Sequence, residues 1–188
     1  IDTQSILDFS RKKFNKALSL SLKKKVVMET KWEIVKLGEL VEIKIGGTPS
    51  RAIPKYFGGN NLWVSISEMN GKVINDTKEK LTNEGVQNSN VKFIPKNTTL
   101  LSFKLSIGET ALAGKNLYTN EAIAALIPLD KNKIVDKYLF QLFSSKIIDL
   151  DDKNNNVFGK SLNRTFLKEE VKIPLPNKEV QEKIVDEI

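Results

Sequence analysis

Residues 41–66 read VEIKIGGTPSRAIPKYFGGNNLWVSI, and this stretch decides the class of fold. It contains two short runs rich in Ile, Val, Leu and Trp, at Val41–Ile45 and Leu62–Ile66, with Gly, Pro and Asn between them. Short apolar runs of this kind are typical of β-strands, and clusters of Gly, Pro and Asn are typical of turns. The stretch therefore predicts two strands, with turns at Gly46-Gly47 and at Gly58–Asn61.

The same pattern continues downstream and predicts an α+β fold, a strand-rich body with helices at both ends. A strand body of this kind needs a core, which we assign to Val41, Ile43, Trp63, Ile66, Leu101, Phe103 and Leu142. The further strands are predicted at Val91–Ile94, Thr99–Phe103, Ala122–Ile127 and Val171–Ile173, and the further helices at Val135–Leu150 and within Asn163–Glu170.

Both ends of the chain predict helices. Residues 3–30 carry apolar side chains at four- and eight-residue intervals without Gly or Pro, and this helix either docks on the body through its apolar stripe or acts as a basic arm. A last helix opens at Pro176-Asn177, and its apolar stripe runs to Ile188. Because that stripe is unfinished and the chain opens on Ile1, we expect a longer parent protein.

The composition limits the classes of function. The chain has no Cys, which excludes disulfides and thiolate metal sites and fits a reducing cytoplasm. It has no His, so the commonest general base and metal ligand are missing. No apolar run approaches the ~20 residues that cross a bilayer, so we expect a cytoplasmic protein without a membrane partner. The net charge of +7 suggests a polyanionic partner, although eight of the 30 basic residues lie in residues 1–31.

Three short segments are similar to active-site motifs, but each has the wrong spacing or lacks the other residues that the site requires. The segment from Gly108 to Asn116 has one residue too many for a phosphate-binding loop and lacks the magnesium-binding Ser or Thr. Glu42-Ile43-Lys44 and Asp151-Asp152-Lys153 fit half of a metal-dependent nuclease site, but neither has a Pro-Asp pair upstream. Without a Gly-x-Ser-x-Gly elbow or a His there is no serine triad, and no Asn-Pro-Pro-aromatic box of amino-methyltransferases occurs. We expect no catalytic residue, metal or cofactor.

A series of short motifs, in order, resembles the DNA target-recognition domain of type I restriction-modification specificity subunits, a domain also found fused to methyltransferases. The resemblance covers roughly residues 32–188, and Glu121 departs from the Gln that the family usually shows. The motifs are Trp32, Val35–Leu40, Gly46–Ser50, Tyr56-Phe57, Leu62–Val64, Leu81–Gly85, Phe93–Thr98, Leu101-Ser102, Ser106–Gly108, Thr119–Ala122 and Ile173–Pro176 with Gln181, Ile184 and Val185.

The resemblance implies a division of the chain and a set of partners. Residues 1–31 are expected to form a basic helix or linker, residues 32–176 the recognition domain, and residues 177–188 the start of a spacer helix. Such domains read one half of a split double-stranded DNA target and do no chemistry. Methylation and cleavage belong to a methyltransferase subunit or fused domain and to a restriction subunit.

Three groups of polar and basic residues are the candidates for DNA contacts, since duplex reading needs cations for phosphates and polar groups for base edges. Arg51 is the best candidate for a bidentate contact to guanine. The groups are Thr48, Ser50, Arg51, Lys55 and Tyr56; then Lys104, Ser106, Lys115 and Asn116; then Lys160, Ser161, Asn163 and Arg164.

Other functions stay open on sequence grounds. The chain could be a general nucleic-acid-binding module whose exposed aromatics stack on single strands. It could instead be an assembly domain whose helices bind a partner protein and whose body never touches DNA. A nuclease reading would require metal-dependent cleavage that Glu42→Ala or Asp151→Ala abolishes.

Overall fold

A computed structural model describes residues 32–104, 106–146, 148, 150 and 163–186. The predicted helix of residues 3–30 and the predicted loop of residues 151–156 lie outside these ranges. The described part mixes helices and strands, which confirms the predicted α+β class. Its strands are β1 (Glu33–Lys36), β2 (Val41–Ile45), β3 (Phe57–Val64), β4 (Val73–Ile74), β5 (Glu79–Leu81), β6 (Thr99–Ser102), β7 (Thr110–Ala113), β8 (Tyr118–Thr119), β9 (Ile123–Pro128) and β10 (Lys172–Leu175). Its α-helices are α1 (Leu37–Leu40), α2 (Asn83–Gln87), α3 (Asp136–Ser144), α4 (Arg164–Glu169) and α5 (Lys178–Asp186).

A five-stranded sheet with the order β2-β9-β6-β7-β4 forms the centre of the body. Its strands pair antiparallel except for β4 and β7, which are parallel. Successive side chains of β9 point to opposite faces. Leu126 therefore enters one hydrophobic core and Ile123 enters another. A strand covered on both faces has to be apolar throughout, which is why residues 123–128 read IAALIP.

A second, three-stranded sheet with the order β5-β3-β8 carries the small third core. Trp63 in the middle strand pairs with Glu79 on one side and with Tyr118 on the other. The turn predicted at Gly58–Asn61 is wrong, because these residues lie within β3. The strand is irregular there instead: its register shifts between Phe57 and Asn61, and Gly58 has a φ of 83°. This sheet supports the loop of residues 46–56 that the candidate site uses.

The larger core lies between the central sheet and the helices. Tyr138 of α3 is fully buried in it and donates a hydrogen bond from its hydroxyl to Pro174 O at 2.9 Å. Strands β1 and β10 pair antiparallel, so the two ends of the body lie side by side. Gln181 of α5 is also fully buried, accepts from Val135 N at 2.9 Å and donates to Lys133 O and Pro176 O. Helix α5 is thereby fixed to the start of α3.

Several predicted elements are confirmed with small shifts of boundary. The predicted strand Val41–Ile45 is β2, and those at Thr99–Phe103, Ala122–Ile127 and Val171–Ile173 match β6, β9 and β10 within two residues. The helix predicted within Asn163–Glu170 is α4.

The strand predicted at Val91–Ile94 is wrong. This segment makes a single β-bridge, between Ile94 and Leu117, and Asn97 then turns the chain with a φ of 68°. Apolar residues alone predicted it, but Pro95 has no N–H with which to extend the pairing.

The helix predicted at Val135–Leu150 is too long, because α3 ends at Ser144. Lys146 has a φ of 52°, and Ile148 N donates back to Leu142 O at 3.0 Å, so the chain reverses there. The predicted strand Leu62–Ile66 also ends early. Ser65 and Glu68 form a capping box that starts a 3-10 turn, and Ile66 is only partly buried against the second core.

Candidate nucleic-acid interface

The loop of residues 46–56 leaves β2 and returns as β3, and its two glycines fix where it starts. A Cβ added to Gly46 would lie 2.2 Å from Thr119 O, and one added to Gly47 would lie 2.2 Å from Asn90 Oδ1. Gly47 N also donates to Thr119 O at 2.8 Å. Only glycine fits this close against the neighbouring backbone, so the loop is locked to the start of the β8–β9 turn.

Arg51 is held by a carboxylate and by two aromatic rings. Both of its terminal nitrogens donate to the two oxygens of Glu79, with Nη2 2.8 Å from Oε2. Its guanidinium carbon lies 4.5 Å from the centre of the Phe57 ring and 5.2 Å from that of Trp63. The hydrogen bonds from Arg51 lower the pKa of Glu79. Arg51 therefore braces the loop over the small sheet, with both ends of its planar fork occupied.

Thr48 contacts Glu121, and Glu121 also experiences the charge of Lys104, which belongs to another of the predicted groups. The Thr48 hydroxyl donates to a carboxylate oxygen of Glu121, and this bond is the largest cause of a lowered pKa at Glu121. The positive charge of Lys104 lowers the same pKa further. Glu121 is exposed. The β8–β9 turn thus places a negatively charged hydrogen-bond acceptor, Glu121, next to the 46–56 loop.

Lys55 and Tyr56 tie the far end of the loop to helix α2. Lys55 Nζ lies 2.5 Å from Glu84 Oε1, and this hydrogen bond raises the pKa of Lys55. The backbone oxygens of Lys55 and Tyr56 accept from the side chain and the N–H of Thr82, both at 2.9 Å. Gly85 packs against Tyr56, where a Cβ would lie 2.4 Å from Tyr56 O. Both ends of the loop and its middle are therefore fixed.

Lys115 and Asn116 lie elsewhere, next to the 94–97 turn. Asn116 Oδ1 accepts from Lys96 N at 2.9 Å, and Lys115 is exposed. Ser106 lies near the loop of Lys104 and is exposed, with its backbone oxygen bonded by the Ser102 hydroxyl. Sequence reasoning placed these residues in one group, but the fold separates them into two places.

Of the third group, Lys160 and Ser161 lie outside the described residues. Asn163 caps α4, its side chain accepting from Phe166 N at 2.9 Å. Arg164 donates from Nε to Ile43 O at 2.9 Å, at the edge of β2. Both side chains therefore have structural partners. Ser50, by contrast, is exposed on the 46–56 loop.

Sequence reasoning missed the three carboxylates that hold this loop, Glu79, Glu84 and Glu121. The available signal was the charge of the body, since residues 32–188 carry 22 basic and 20 acidic residues. In a body so close to neutral, many cations have an acidic partner. The partners come from β5, α2 and the β8–β9 turn, far apart in sequence.

Within the described ranges no group of three or more acidic side chains is placed to hold a metal ion. The same part of the chain contains no helix that is both long and apolar enough to span a membrane.

Comparisons with known proteins identify the class. The family model for the type I restriction modification DNA specificity domain matches residues 29–188, and the chain belongs to this family. The chain is 32% identical over 158 residues to the type I restriction enzyme MjaIX specificity subunit of Methanocaldococcus jannaschii, covering 81% of the chain and 36% of that protein. It is 27% identical over 170 residues to the HindI specificity subunit of Haemophilus influenzae, covering 82% of the chain and 35% of that protein.

A solved structure shares the fold. The HsdS subunit of Thermoanaerobacter tengcongensis superposes with a TM-score of 0.66 at 17% identity, covering 97% of the chain and 42% of that subunit. The chain thus spans about a third of the length of the curated relatives that it matches.

Proposed function

We propose that the body of this chain recognises double-stranded DNA in a sequence-specific way, as the reader of one half of a target in a type I restriction-modification system. The observation that carries the proposal is the 46–56 loop, which three carboxylates hold in one shape within a DNA specificity domain. A loop already ordered before binding loses little conformational entropy when it docks on a duplex.

The loop and the adjoining β8–β9 turn together offer hydrogen-bond donors and acceptors, which are the two kinds of group that base edges require. Glu121 can accept a hydrogen bond from the amino group of cytosine, and Thr48 and Ser50 can contact either kind of base edge. Arg51 stays a candidate for guanine, but its fork is bonded to Glu79, so a bidentate contact requires exchange of that carboxylate. The other residues that we propose to contact DNA are Lys104, Ser106, Lys115, Asn116, Lys160, Ser161, Asn163 and Arg164.

In the proposed parent assembly, DNA recognition, methylation and cleavage belong to different subunits or domains. The relatives are named as specificity subunits, and we infer that methylation and cleavage reside in a methyltransferase subunit or fused domain and in a restriction subunit. Residues 32–176 are then the recognition domain, and α5 begins the spacer helix. Gln181 and Ile184 are fully buried, and Ile184 belongs to the larger core, which supports a spacer helix whose first turns are anchored to the recognition domain.

The test is selection of bound duplexes from a randomised pool, with the chain joined to its methyltransferase partner at moderate salt. We expect enrichment of a short motif of a few fixed base pairs, with Thr48→Ala or Glu121→Gln altering which bases are enriched. Binding without any enriched motif would replace the proposal with a general nucleic-acid-binding module. Absence of binding in this joined form would favour an assembly domain.

A further inference from the structure

One face of the three-stranded sheet carries two aromatic sites in register. Trp63 pairs directly with Tyr118 in the neighbouring strand, so both side chains point to the same face. Arg51 lies over Trp63, and Phe93 packs edge-on against Tyr118 with ring centres 6.2 Å apart at 75°. Tyr118 is therefore about one strand spacing, ~5 Å, from Trp63, and Phe93 lies beyond Tyr118. The start of the 46–56 loop also packs on the segment that carries Phe93, because a Cβ added to Gly47 would lie 2.2 Å from Asn90 Oδ1.

Phe93 is unusually exposed for its size. Half of its surface, 50%, is accessible, and only Val73 and Leu129 are comparable among the large apolar side chains of the described residues. The Ile94–Leu117 bridge, with hydrogen bonds of 2.9 and 3.0 Å, fixes the backbone on which Phe93 stands. The ring is thus held outward by rigid neighbours, where it can contact a partner without rearrangement.

Three lysines lie next to this aromatic pair along the chain or across the Ile94–Leu117 bridge. Lys92, Lys96 and Lys115 are exposed, and none forms an ion pair with another residue of the described ranges. The pKa of Asp76 is lowered mainly by its hydrogen bond to Lys80, with a smaller contribution from the charge of Lys115. Lys96 and Lys115 lie two residues from the bridge on its two segments, and Lys96 N donates a hydrogen bond to Asn116 Oδ1 at 2.9 Å. Arg51 and Lys55 on the loop, in contrast, are both paired with carboxylates.

The aromatic–lysine ledge comprises Lys92, Phe93, Lys96, Lys115, Asn116 and Tyr118. We propose that this ledge binds the sugar–phosphate backbone of the same duplex whose bases the 46–56 loop reads, without sequence preference. The proposal rests on the proposed DNA recognition and deepens it.

The charge distribution favours this occupant. Phosphate binding requires cations whose charge is not already neutralised, and the loop cations are bonded to Glu79 and Glu84. The ledge supplies exposed cations that form no ion pair within the described ranges, and the flat face of Phe93 can pack on deoxyribose between phosphates. The loop would thus read the bases while the ledge supplies the electrostatic attraction.

The test compares two double variants in the joined protein, Lys96→Ala/Lys115→Ala and, as a control of equal charge, Lys133→Ala/Lys172→Ala. Lys133 and Lys172 are exposed and border the larger core. Binding to the enriched duplex and to a scrambled duplex is measured over a range of salt concentrations. Thermal unfolding verifies that both variants are folded.

We expect the ledge variant to bind both duplexes more weakly by the same factor. The slope of log K against log salt should become shallower by about 0.9 for each lost phosphate contact, so by nearly two units, and the control should keep the slope of the unmodified protein. Phe93→Ala should weaken binding to both duplexes without changing the slope, because it removes an uncharged contact.

An unchanged slope in the ledge variant would overturn the proposal. So would a loss confined to the enriched duplex, which would make the lysines base readers. Unchanged DNA binding together with lost binding of the methyltransferase subunit would assign the ledge to a protein partner. Failure of DNA recognition itself is distinguishable, because the unmodified protein would then show no preference between the two duplexes.

Discussion

Replacing Arg51 by Ala tests whether the loop is braced as the structure shows. The guanidinium makes two charged hydrogen bonds to Glu79 and lies 4.5 Å from the Phe57 ring centre. The side chains of Arg51 and Glu79 are 56% and 41% exposed, so the ion pair contributes at most about 1 kcal/mol. The ring contact at an exposed site adds about 0.5–1 kcal/mol. Arg51→Ala should therefore lower the free energy of unfolding by about 0.5–2 kcal/mol.

The assay is urea unfolding followed by tryptophan fluorescence, since the guanidinium lies 5.2 Å from the Trp63 ring centre. Ser50→Ala, an exposed neighbour on the same loop, is the control and should change stability by less than about 0.5 kcal/mol. Arg51→Lys keeps the charge but not the planar fork, so it should recover only part of the loss. If the Arg51→Ala variant had unchanged stability and fluorescence, Arg51 would not stabilise the loop through Glu79 and the aromatic rings.

The same variant separates two roles of Arg51 on DNA. If Arg51 also contacts a base, binding to the enriched duplex should fall by about 1–3 kcal/mol and the preference at one position should relax. Equal weakening on every duplex would instead make it a phosphate contact. No change in DNA binding would leave Arg51 with the structural role alone.

Three further predictions concern the fixed points of the loop and of α5. Gly46→Ala should destabilise the protein by several kcal/mol, because the added Cβ would lie 2.2 Å from Thr119 O. A chemical denaturation midpoint equal to that of the unmodified protein would show that the site accommodates the methyl group. Gln181→Leu should cost about 1–3 kcal/mol in the same assay because it leaves one buried and two partly buried backbone groups without their partner, and a neutral result would show that water replaces the amide. The folded-state pKa of Glu121 is lowered, so its bond to Thr48 stabilises the fold above the unfolded-state pKa and is lost as the pH falls through the folded-state value. The stability difference between the unmodified protein and Glu121→Gln should therefore shrink as the pH is lowered below about 4, whereas a difference independent of pH would exclude the ionised bond.

Local pattern was sufficient for the apolar strands and for the class of fold. Apolar and polar residues alternate in β2, and the residues of β9 are continuously apolar. Both patterns predict a strand even when the neighbouring strands are not known. Strands β4 and β8 have two residues each, which is too short for any periodicity. They exist because β7 and β3 offer free backbone groups beside them. Such pairing depends on the assembled fold.

The sequence suggests the loop of residues 46–56 as a candidate site, but the contacts that hold the loop could not be predicted from it. Its Gly, Thr, Ser and Arg residues are visible in the sequence, and the structure places them together. Glu79 and Glu121 reach the loop from 28 and 73 residues away along the chain. Because these contacts are long-range, the sequence could not show that Arg51 is already bound to a carboxylate. The fold also separates Lys104, which precedes β7, from Lys115, which follows it, although the sequence placed both in one group.

The most direct test of sequence-specific reading is a base-pair substitution scan of the enriched duplex, measured as equilibrium binding of the joined protein at one salt concentration. We expect a change at each motif position to weaken binding by about 1–3 kcal/mol, and changes outside the motif to have no effect. Equal affinity for every substituted duplex would contradict sequence-specific recognition by this domain.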